Sequence, residues 1–252
     1  MENRSENIRG ALIMSACMAA FVLNDATVKL TASNLNIFQV MLLRGLFATL
    51  FIGLLAWHKK ALFVRLSRSD WKVLALRTFG EVGGTLCFLT ALFNMPIANA
   101  TAILQALPLV ITVGAALFLK QTVGWRRYFA VLVGFFGVLV IVRPGVDGFT
   151  VYAYWAIAAV IFVTLRDLVT VKISTHAPSL FIALVAAISI CIVGGIMSLT
   201  EPWKPVSSID LMLLAAAASF LIFGYLFAIM AMRVGEIAFV SPFRYTVLLW
   251  AI

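Results

Sequence analysis

Apolar runs of about 20 residues follow one another along almost the whole chain, with short polar segments between them. A helix needs roughly 20 apolar residues to cross a bilayer core of about 30 Å. By this criterion the sequence predicts about nine spans, all helical, because unpaired backbone groups are costly in hydrocarbon. The spans are 10–31, 37–57, 71–93, 97–119, 126–143, 151–173, 180–199, 209–233, and one that begins near 237.

The composition agrees with a lipid environment. Of the 252 residues, 63% are hydrophobic and only 12% are charged, and the mean hydropathy is +1.09. Soluble domains carry charge on about a quarter of their residues, so a water-soluble fold is excluded. The net charge of +9 would suit a nucleic-acid partner, but the basic residues lie in separate short loops, which is typical of a topological signal instead.

The basic residues also predict an orientation. Cytoplasmic loops are enriched in Lys and Arg, and here about twelve basic residues fall on one side of the predicted membrane against three on the other. The side with the excess holds the N-terminus, so we expect a multi-pass protein of the cell inner membrane with a cytoplasmic N-terminus. That side carries Arg4, Arg9, Lys59, Lys60, Arg65, Arg68, Lys72, Lys120, Arg126, Arg127, Lys172 and Arg233.

Signals of metal binding and catalysis are missing from the sequence. The three cysteines lie singly in apolar segments without CxxC spacing, and the two histidines stand alone at segment ends. Neither an HExxH nor a GxSxG motif occurs. We therefore predict no enzyme activity, no metal and no cofactor.

An internal repeat relates the two parts of the chain. FVLNDATVKL (21–30) and FVTLRDLVTVKI (162–173) share Phe-Val, an Asp and a Val-Lys-aliphatic ending. A second match, at a separation of 140 residues, aligns Ala91, Ile97, Ala98 and Thr101 with Ala231, Ile237, Ala238 and Ser241. Both matches connect spans that are five apart. Because five is odd, the second copy must enter the membrane from the opposite side, which is the inverted-repeat organisation of secondary transporters.

Two longer stretches carry a family resemblance. LTALFNMPIANATAILQALPLVITVGAALFLK (89–120) and its counterpart AIMAMRVGEIAFVSPFRYTVLLW (228–250) resemble EamA-like transporters of the drug/metabolite transporter superfamily. The resemblance implies an all-α polytopic membrane protein with two inverted five-helix repeats and ten helices, which moves amino acids, nucleotide-like metabolites, sugars or toxic compounds. We expect a first repeat at 1–145, an incomplete second repeat at 146–252, and a tenth span after Ile252. Leu119-Lys120-Gln121 departs from the Gly-Glu of many relatives.

Several charged residues lie inside the predicted spans, where a charge is costly unless it faces a partner or a wet cavity. Depth estimates place Asp25 and Arg44 in an outer layer where they could pair, and Asp167, Arg77 and Arg244 in an inner layer. We interpret the layers as gates around a central cavity. The candidates for gating or intramembrane charge pairs are Asp25, Arg44, Arg166 and Asp167.

The substrate-binding candidates combine charged and aromatic side chains. Glu81 lies near the midplane on the same helix face as Arg77, and it is a candidate to carry a proton. Arginine suits carboxylate or phosphate because its planar fork binds two oxygens. In the alternative interpretation, the ion pairs only lock helices together or Arg77 extends to the cytoplasm. The candidates are Arg77, Glu81, Phe88, Tyr225, Arg244, Tyr245 and Trp250.

These observations predict a secondary transporter for a small polar metabolite. From the resemblance we favour efflux of an amino-acid-like compound, and uptake of S-adenosylmethionine or another nucleoside-like metabolite is the alternative. A channel or a structural membrane protein fits less well, because no filter-like loop is visible and charges occur at two matched depths. The expected partners are the small-molecule substrate and the lipid bilayer, with proton coupling as a further hypothesis. Nothing in the sequence indicates an oligomeric state.

Overall fold

The computed structural model describes residues 2–62, 64, 66–120, 124–126, 128–129, 132–133, 136, 151–174, 176–234 and 236–250. Within these residues, all regular secondary structure is helical. Two short 3₁₀ helices, Ser198–Thr200 and Ser241–Thr246, accompany the α-helices. The α-helices are α1 (Glu2–Thr31), α2 (Ile37–His58), α3 (Arg68–Asn94), α4 (Ile97–Leu104), α5 (Leu107–Phe118), α6 (Val151–Thr170), α7 (Ser179–Met197), α8 (Ser208–Val234), α9 (Ile237–Val240) and α10 (Val247–Trp250).

Seven described helical segments are long and apolar enough to cross a membrane. They coincide with the first four predicted spans and with the sixth, seventh and eighth. The fifth predicted span, 126–143, lies mostly outside the described residues. The all-helical, polytopic membrane character of the protein is therefore confirmed. The segments are Ser5–Thr31, Ile37–His58, Arg68–Asn94, Asn99–Phe118, Val151–Thr170, Ser179–Thr200 and Ser208–Val234.

Two predicted spans differ from simple straight helices. The fourth is interrupted at Gln105 and Ala106, and α5 restarts with Pro108 in its first turn, where the fixed φ of proline is tolerated and its missing N–H costs nothing. The ninth begins as the four-residue α9 and continues through a 3₁₀ turn that contains Pro242. Both breaks follow from a proline placed inside an apolar run.

The N-termini of α3 and α8 are built in the same way. Ser67 donates its hydroxyl to Asp70 at 2.7 Å and accepts the Asp70 backbone N–H at 3.0 Å. Ser207 makes the same pair of contacts with Asp210, at 2.6 and 3.1 Å. Such capping boxes satisfy backbone donors that have no partner within the first helical turn. Each aspartate also binds a distant loop, which connects the start of its helix to another part of the chain.

Three long helix pairs form most of the described bundle. α1 packs along α8, α3 along α6, and α2 along α7. The contact between α3 and α6 is especially close at Gly80, where an added Cβ would lie 2.9 Å from the Phe162 carbonyl oxygen and 3.0 Å from the Arg166 nitrogen. Only glycine allows this approach, and it brings the next residue of α3, Glu81, against α6.

Candidate functional site

A cavity of about 150 Å³ lies inside the helix bundle. Its walls come from both parts of the chain, with α1 to α5 on one side and α6, α8, the 241–246 turn and α10 on the other. On α1 the lining starts at Met18, so the cavity occupies the half of the bundle that holds the C-terminal end of α1. The polar and charged lining residues are Asn24, Asp25, Arg44, Glu81, Thr85, Thr101, Gln105, Arg166, Tyr225 and Arg244.

One side of this cavity is formed by a buried network of ion pairs. Glu81 contacts Arg166 at 3.2 Å and Arg77 at 3.3 Å. Arg166 in turn donates its Nε–H to Asp167 at 2.8 Å, and Asp167 also accepts a hydrogen bond from Arg244. All five residues are buried. The ionic network, as we call Arg77, Glu81, Arg166, Asp167 and Arg244, therefore joins α3, α6 and the 241–246 turn.

The ionic network separates the main cavity from a second, much smaller one of about 10 Å³. Glu81 and Arg244 face the main cavity, Arg77 and Asp167 face the small one, and Arg166 lines both. The remaining walls of the small cavity come from the ends of α6 and α8. Tyr225 of α8 also lines both cavities, so in this conformation Tyr225 and the ionic network lie between the two spaces. The small cavity is completed by Thr170, Tyr225, Ala228, Ile229 and Met232.

A second polar cluster, separate from the ionic network, also lines the main cavity. Arg44 donates Nη1–H to the Asn24 side-chain oxygen at 3.2 Å, and Asn24 donates its side-chain N–H to Asp25 at 2.8 Å. The sequence placed Asp25 and Arg44 in one layer where they could pair, whereas in the structure Asn24 lies between the two charges and bonds to both. Among the described residues no ion pair involves Arg44 or Asp25.

Glu81 was predicted near the midplane on the helix face of Arg77, and the two side chains are in contact. The close contact at Gly80 also places the Glu81 carboxylate beside Arg166, which makes it part of the ionic network. Arg77 does not extend to the cytoplasm, as one alternative held. Its side chain is 3% exposed and donates Nε–H to the Thr170 hydroxyl at 3.1 Å. The role of Glu81 as a proton carrier stays a prediction.

The predicted substrate-binding residues differ in whether they line a cavity and in which cavity they line. Glu81, Phe88, Tyr225 and Arg244 line the main cavity. Arg77 lines only the small cavity, and Tyr245 and Trp250 line neither. In the 3₁₀ helix of the 241–246 turn, successive side chains point about 120° apart, so that Arg244 points inward and its neighbour Tyr245 does not.

Sequence reasoning missed four uncharged polar residues of the lining, Asn24, Thr85, Thr101 and Gln105. Gln105 lies at the break between α4 and α5 and donates its side-chain N–H to the Thr101 carbonyl at 3.1 Å. An amide within an apolar span is costly unless it finds a partner. This cost could have identified Asn24 and Gln105 as candidates from the sequence. A hydroxyl can bond within its own helix, so Thr85 and Thr101 give no such indication.

The described residues offer no grouping of three or more His, Cys, Asp and Glu side chains that could hold a metal ion. Cys17, Cys87 and Cys191 are free thiols. The chemistry of the main cavity is that of hydrogen bonds, charges and apolar contacts.

Comparison with known proteins agrees with a transport role. The EamA-like transporter family model matches residues 8–143. The riboflavin transporter of Vibrio cholerae is 28% identical over 181 residues, which cover 70% of this chain and 60% of that protein. The S-adenosylmethionine uptake transporter of Rickettsia prowazekii is 26% identical over 230 residues, which cover 88% of this chain and 75% of that protein.

Two further comparisons concern export and the fold. The pseudopaline exporter of Pseudomonas aeruginosa is 28% identical over 156 residues, or 61% of this chain and 53% of that protein. A crystal structure matches with a TM-score of 0.78 at 16% sequence identity over 96% of this chain and 85% of its own, which shows a shared fold. Because the family model covers more than half of the chain, the protein belongs to the EamA-like transporter family of the drug/metabolite transporter superfamily.

Proposed function

We propose that the protein is a secondary transporter that carries a small polar metabolite across the inner membrane by alternating access. The main cavity is the substrate site in this proposal. The observation that carries it is a cavity with charged and polar groups in its lining, which is formed by both parts of the chain and bounded on one side by the buried ionic network. A carrier needs such a site and a barrier that can form and break on each side of it.

The ionic network serves as one barrier in this proposal. Its five charged groups are held by interactions between α3, α6 and the 241–246 turn, so separating these elements would open a path to the small cavity. At the other end of the bundle, Lys29 donates hydrogen bonds to the carbonyl oxygens of Leu92 and Met95 and ties the end of α1 to the end of α3. Lys29 belongs to the second barrier.

The two barriers would belong to two inverted repeats, residues 1–145 and 146–252. The capping boxes support this organisation, because Ser67 and Asp70 recur as Ser207 and Asp210 at a separation of 140 residues. Their loop partners recur with the same separation. The Ser174 backbone N–H donates to Asp70 at 3.2 Å, and the Asn34 side chain donates to Asp210 at 3.0 Å.

Helix packing supports the same organisation. In the proposed repeats α1 corresponds to α6, α2 to α7 and α3 to α8. Exchanging the repeats turns the α1–α8 contact into the α6–α3 contact and leaves the α2–α7 contact unchanged. All three are the extensive packing contacts of the described bundle.

The excess of basic residues supports a cytoplasmic N-terminus. The N-terminal end of α1 is then on the cytoplasmic side, and so are the ionic network and the small cavity. The main cavity lies in the half of the bundle toward the outside. This conformation is therefore closed toward the cytoplasm in our proposal.

For the substrate, we favour an amino-acid-like metabolite that is exported. The family resemblance and the mixed charges of the cavity support this choice. The second candidate is uptake of S-adenosylmethionine. It is favoured by relatives from Rickettsia, which bear that name and align with 88% of this chain.

Counterflow in liposomes tests the proposal. The purified protein is reconstituted, and the exchange of labelled amino acids and S-adenosylmethionine is measured for the parent and for Glu81→Gln. Arg9→Gln, which changes a charge near the start of α1, is the control. We expect saturable exchange that Glu81→Gln abolishes and Arg9→Gln retains. If well-folded parent protein exchanges no member of either class, this proposal is wrong.

A further inference from the structure

Arg44 differs from the other guanidinium groups of the main cavity. Arg166 and Arg244 face the cavity but are engaged by the carboxylates of Glu81 and Asp167. Arg44 is 4% exposed, lines the same cavity and, among the described residues, donates a hydrogen bond only to the neutral amide oxygen of Asn24. Its Nε is buried without a hydrogen-bond partner. A buried guanidinium that lines a cavity and is not matched by a carboxylate is a binding group for an anion.

Asp25 provides the opposite charge a short distance away. Its carboxylate lines the cavity and accepts one hydrogen bond, at Oδ1 from the Asn24 side chain. Asp25 has no ion pair within the part of the chain that the structure describes. A carboxylate in this setting is suited to bind a cationic ammonium group.

Asn24 fixes the arrangement of the two charges. Its amide oxygen accepts from Arg44 and its amide N–H donates to Asp25, so it presents an acceptor to the cation and a donor to the anion. The head group of an α-amino acid offers the same pattern with full charges, since its carboxylate accepts and its ammonium donates. Charged partners give stronger hydrogen bonds than a neutral amide.

We propose that Asn24, Asp25 and Arg44 form a head-group subsite that binds the zwitterionic α-amino-acid part of the substrate. Arg44 binds the carboxylate and Asp25 binds the ammonium group. This inference rests on the proposed transport function and narrows it to metabolites that carry such a head group. Both substrate candidates, amino acids and S-adenosylmethionine, meet this condition.

The remainder of the cavity accommodates the rest of the substrate. Phe21 and Phe88 provide aromatic surface, and Leu89 and Leu221 provide apolar surface. Thr85 offers a hydroxyl on the same wall. Apolar walls with a few polar groups are the usual composition of small-molecule sites. The subsite therefore fixes the head group, and the walls accept side chains of differing shape.

Head-group analogues test the inference in purified protein. Binding is measured by ligand-induced thermal stabilisation and transport by competition in counterflow. One series compares L-phenylalanine with phenethylamine, which lacks the carboxylate, and with 3-phenylpropionate, which lacks the ammonium. A second compares S-adenosylmethionine with 5′-methylthioadenosine, which lacks the whole head group and also the sulfonium charge, so the phenylalanine series isolates the head group. We expect the complete head group to improve affinity by at least about tenfold, as for buried hydrogen bonds to charged groups.

Substitutions then assign each charge to its group. Arg44→Gln should lower the affinity for L-phenylalanine to that for phenethylamine and leave phenethylamine unaffected. Asp25→Asn should lower the affinity for L-phenylalanine to that for 3-phenylpropionate. Arg44→Lys keeps the charge but loses the planar fork, and it provides a folded alternative if Arg44→Gln aggregates. Thr27→Val is the control on the same helix, since its hydroxyl bonds only within α1, to the Leu23 carbonyl.

The outcomes separate this inference from the proposed transport function. Saturable counterflow in which 5′-methylthioadenosine or phenethylamine competes as well as the complete ligand would overturn the subsite and retain the carrier. Head-group-dependent binding without counterflow would retain the subsite and overturn the carrier. If Arg44→Gln folds and lowers the affinity for all of the ligands equally, the assignment of Arg44 to the carboxylate is also overturned. No binding and no exchange of any of these compounds would overturn both.

Discussion

Glu81 on α3 and Arg166 on α6 form an ion pair of 3.2 Å across the closest contact of their two helices. The same carboxylate meets Arg77 at 3.3 Å, so that one anion balances two guanidinium groups. Removing one partner of a buried charge pair leaves an uncompensated charge. The resulting loss in the free energy of unfolding is larger than the net contribution of the pair. Glu81 is therefore one of the two anions on which the ionic network depends, the other being Asp167, which meets Arg166 and Arg244.

We expect Glu81→Gln to lower the free energy of unfolding by about 3–5 kcal/mol, the usual cost of an unpaired buried charge. The measurement is denaturation of the detergent-solubilised protein. Adding Arg77→Met removes one of the excess cations, so the double variant should regain part of the loss. A double variant less stable than Glu81→Gln alone would show that charge balance does not govern this network.

The close approach of α3 and α6 gives a second prediction. Gly80→Ala would place a Cβ 2.9 Å from the Phe162 carbonyl oxygen, which is backbone and cannot turn away. We expect the helices to separate, the thermal melting temperature to fall and counterflow to be lost. Gly53→Ala is the matched control, because its Cβ would meet only the Leu184 side chain, at 3.9 Å. Equal melting temperatures of the two variants would contradict the packing argument.

The two capping boxes should differ in their contribution to stability. Ser207→Ala should destabilise the protein by about 1 kcal/mol, the usual cost of a lost helix cap. Ser67→Ala should cost less, since its box is exposed whereas Asp210 is 2% exposed. Denaturation curves check both values. Ser219→Ala serves as the control, because the Ser219 hydroxyl bonds only to the Ala215 carbonyl within α8.

Thiol labelling should reveal on which side each cavity lies. In a background with Cys17, Cys87 and Cys191 replaced by Ser, Thr85→Cys places a thiol in the main cavity and Met232→Cys places one in the small cavity. With a cytoplasmic N-terminus, a membrane-impermeant reagent added outside should label the first and not the second. The reverse pattern would invert the proposed orientation.

Much of the fold was predictable from residue patterns. Long apolar runs determine spans without detailed packing, because the bilayer imposes their length and requires helices. The repeat predicted from Asp25 and Asp167 stays a proposal, although the contacts of Asp70 and Asp210 add support for it. Helix breaks at Gln105 and near Pro242 were not predicted, since the apolar runs continue on both sides of Pro108 and Pro242.

The site was predictable only in part. Charges inside spans identified seven residues that line the main cavity or belong to the ionic network. The aromatic residues Phe88 and Tyr225, also predicted, line the main cavity. The connections between charges were not predictable, because they depend on lateral packing. Depth along a helix does not show that Gly80 brings α3 against α6, or that Asn24 stands between Asp25 and Arg44.

The contacts of Asp70 and Asp210 also bear on the order in which the chain is assembled. Asp70 starts α3, yet one of its partners is the backbone of Ser174, which emerges from the ribosome about a hundred residues later. The helix that holds Glu81 is therefore incompletely anchored while the N-terminal helices are being inserted. Its final position must wait for synthesis of the C-terminal part, so we infer that the first five spans made alone would not reach their mature packing.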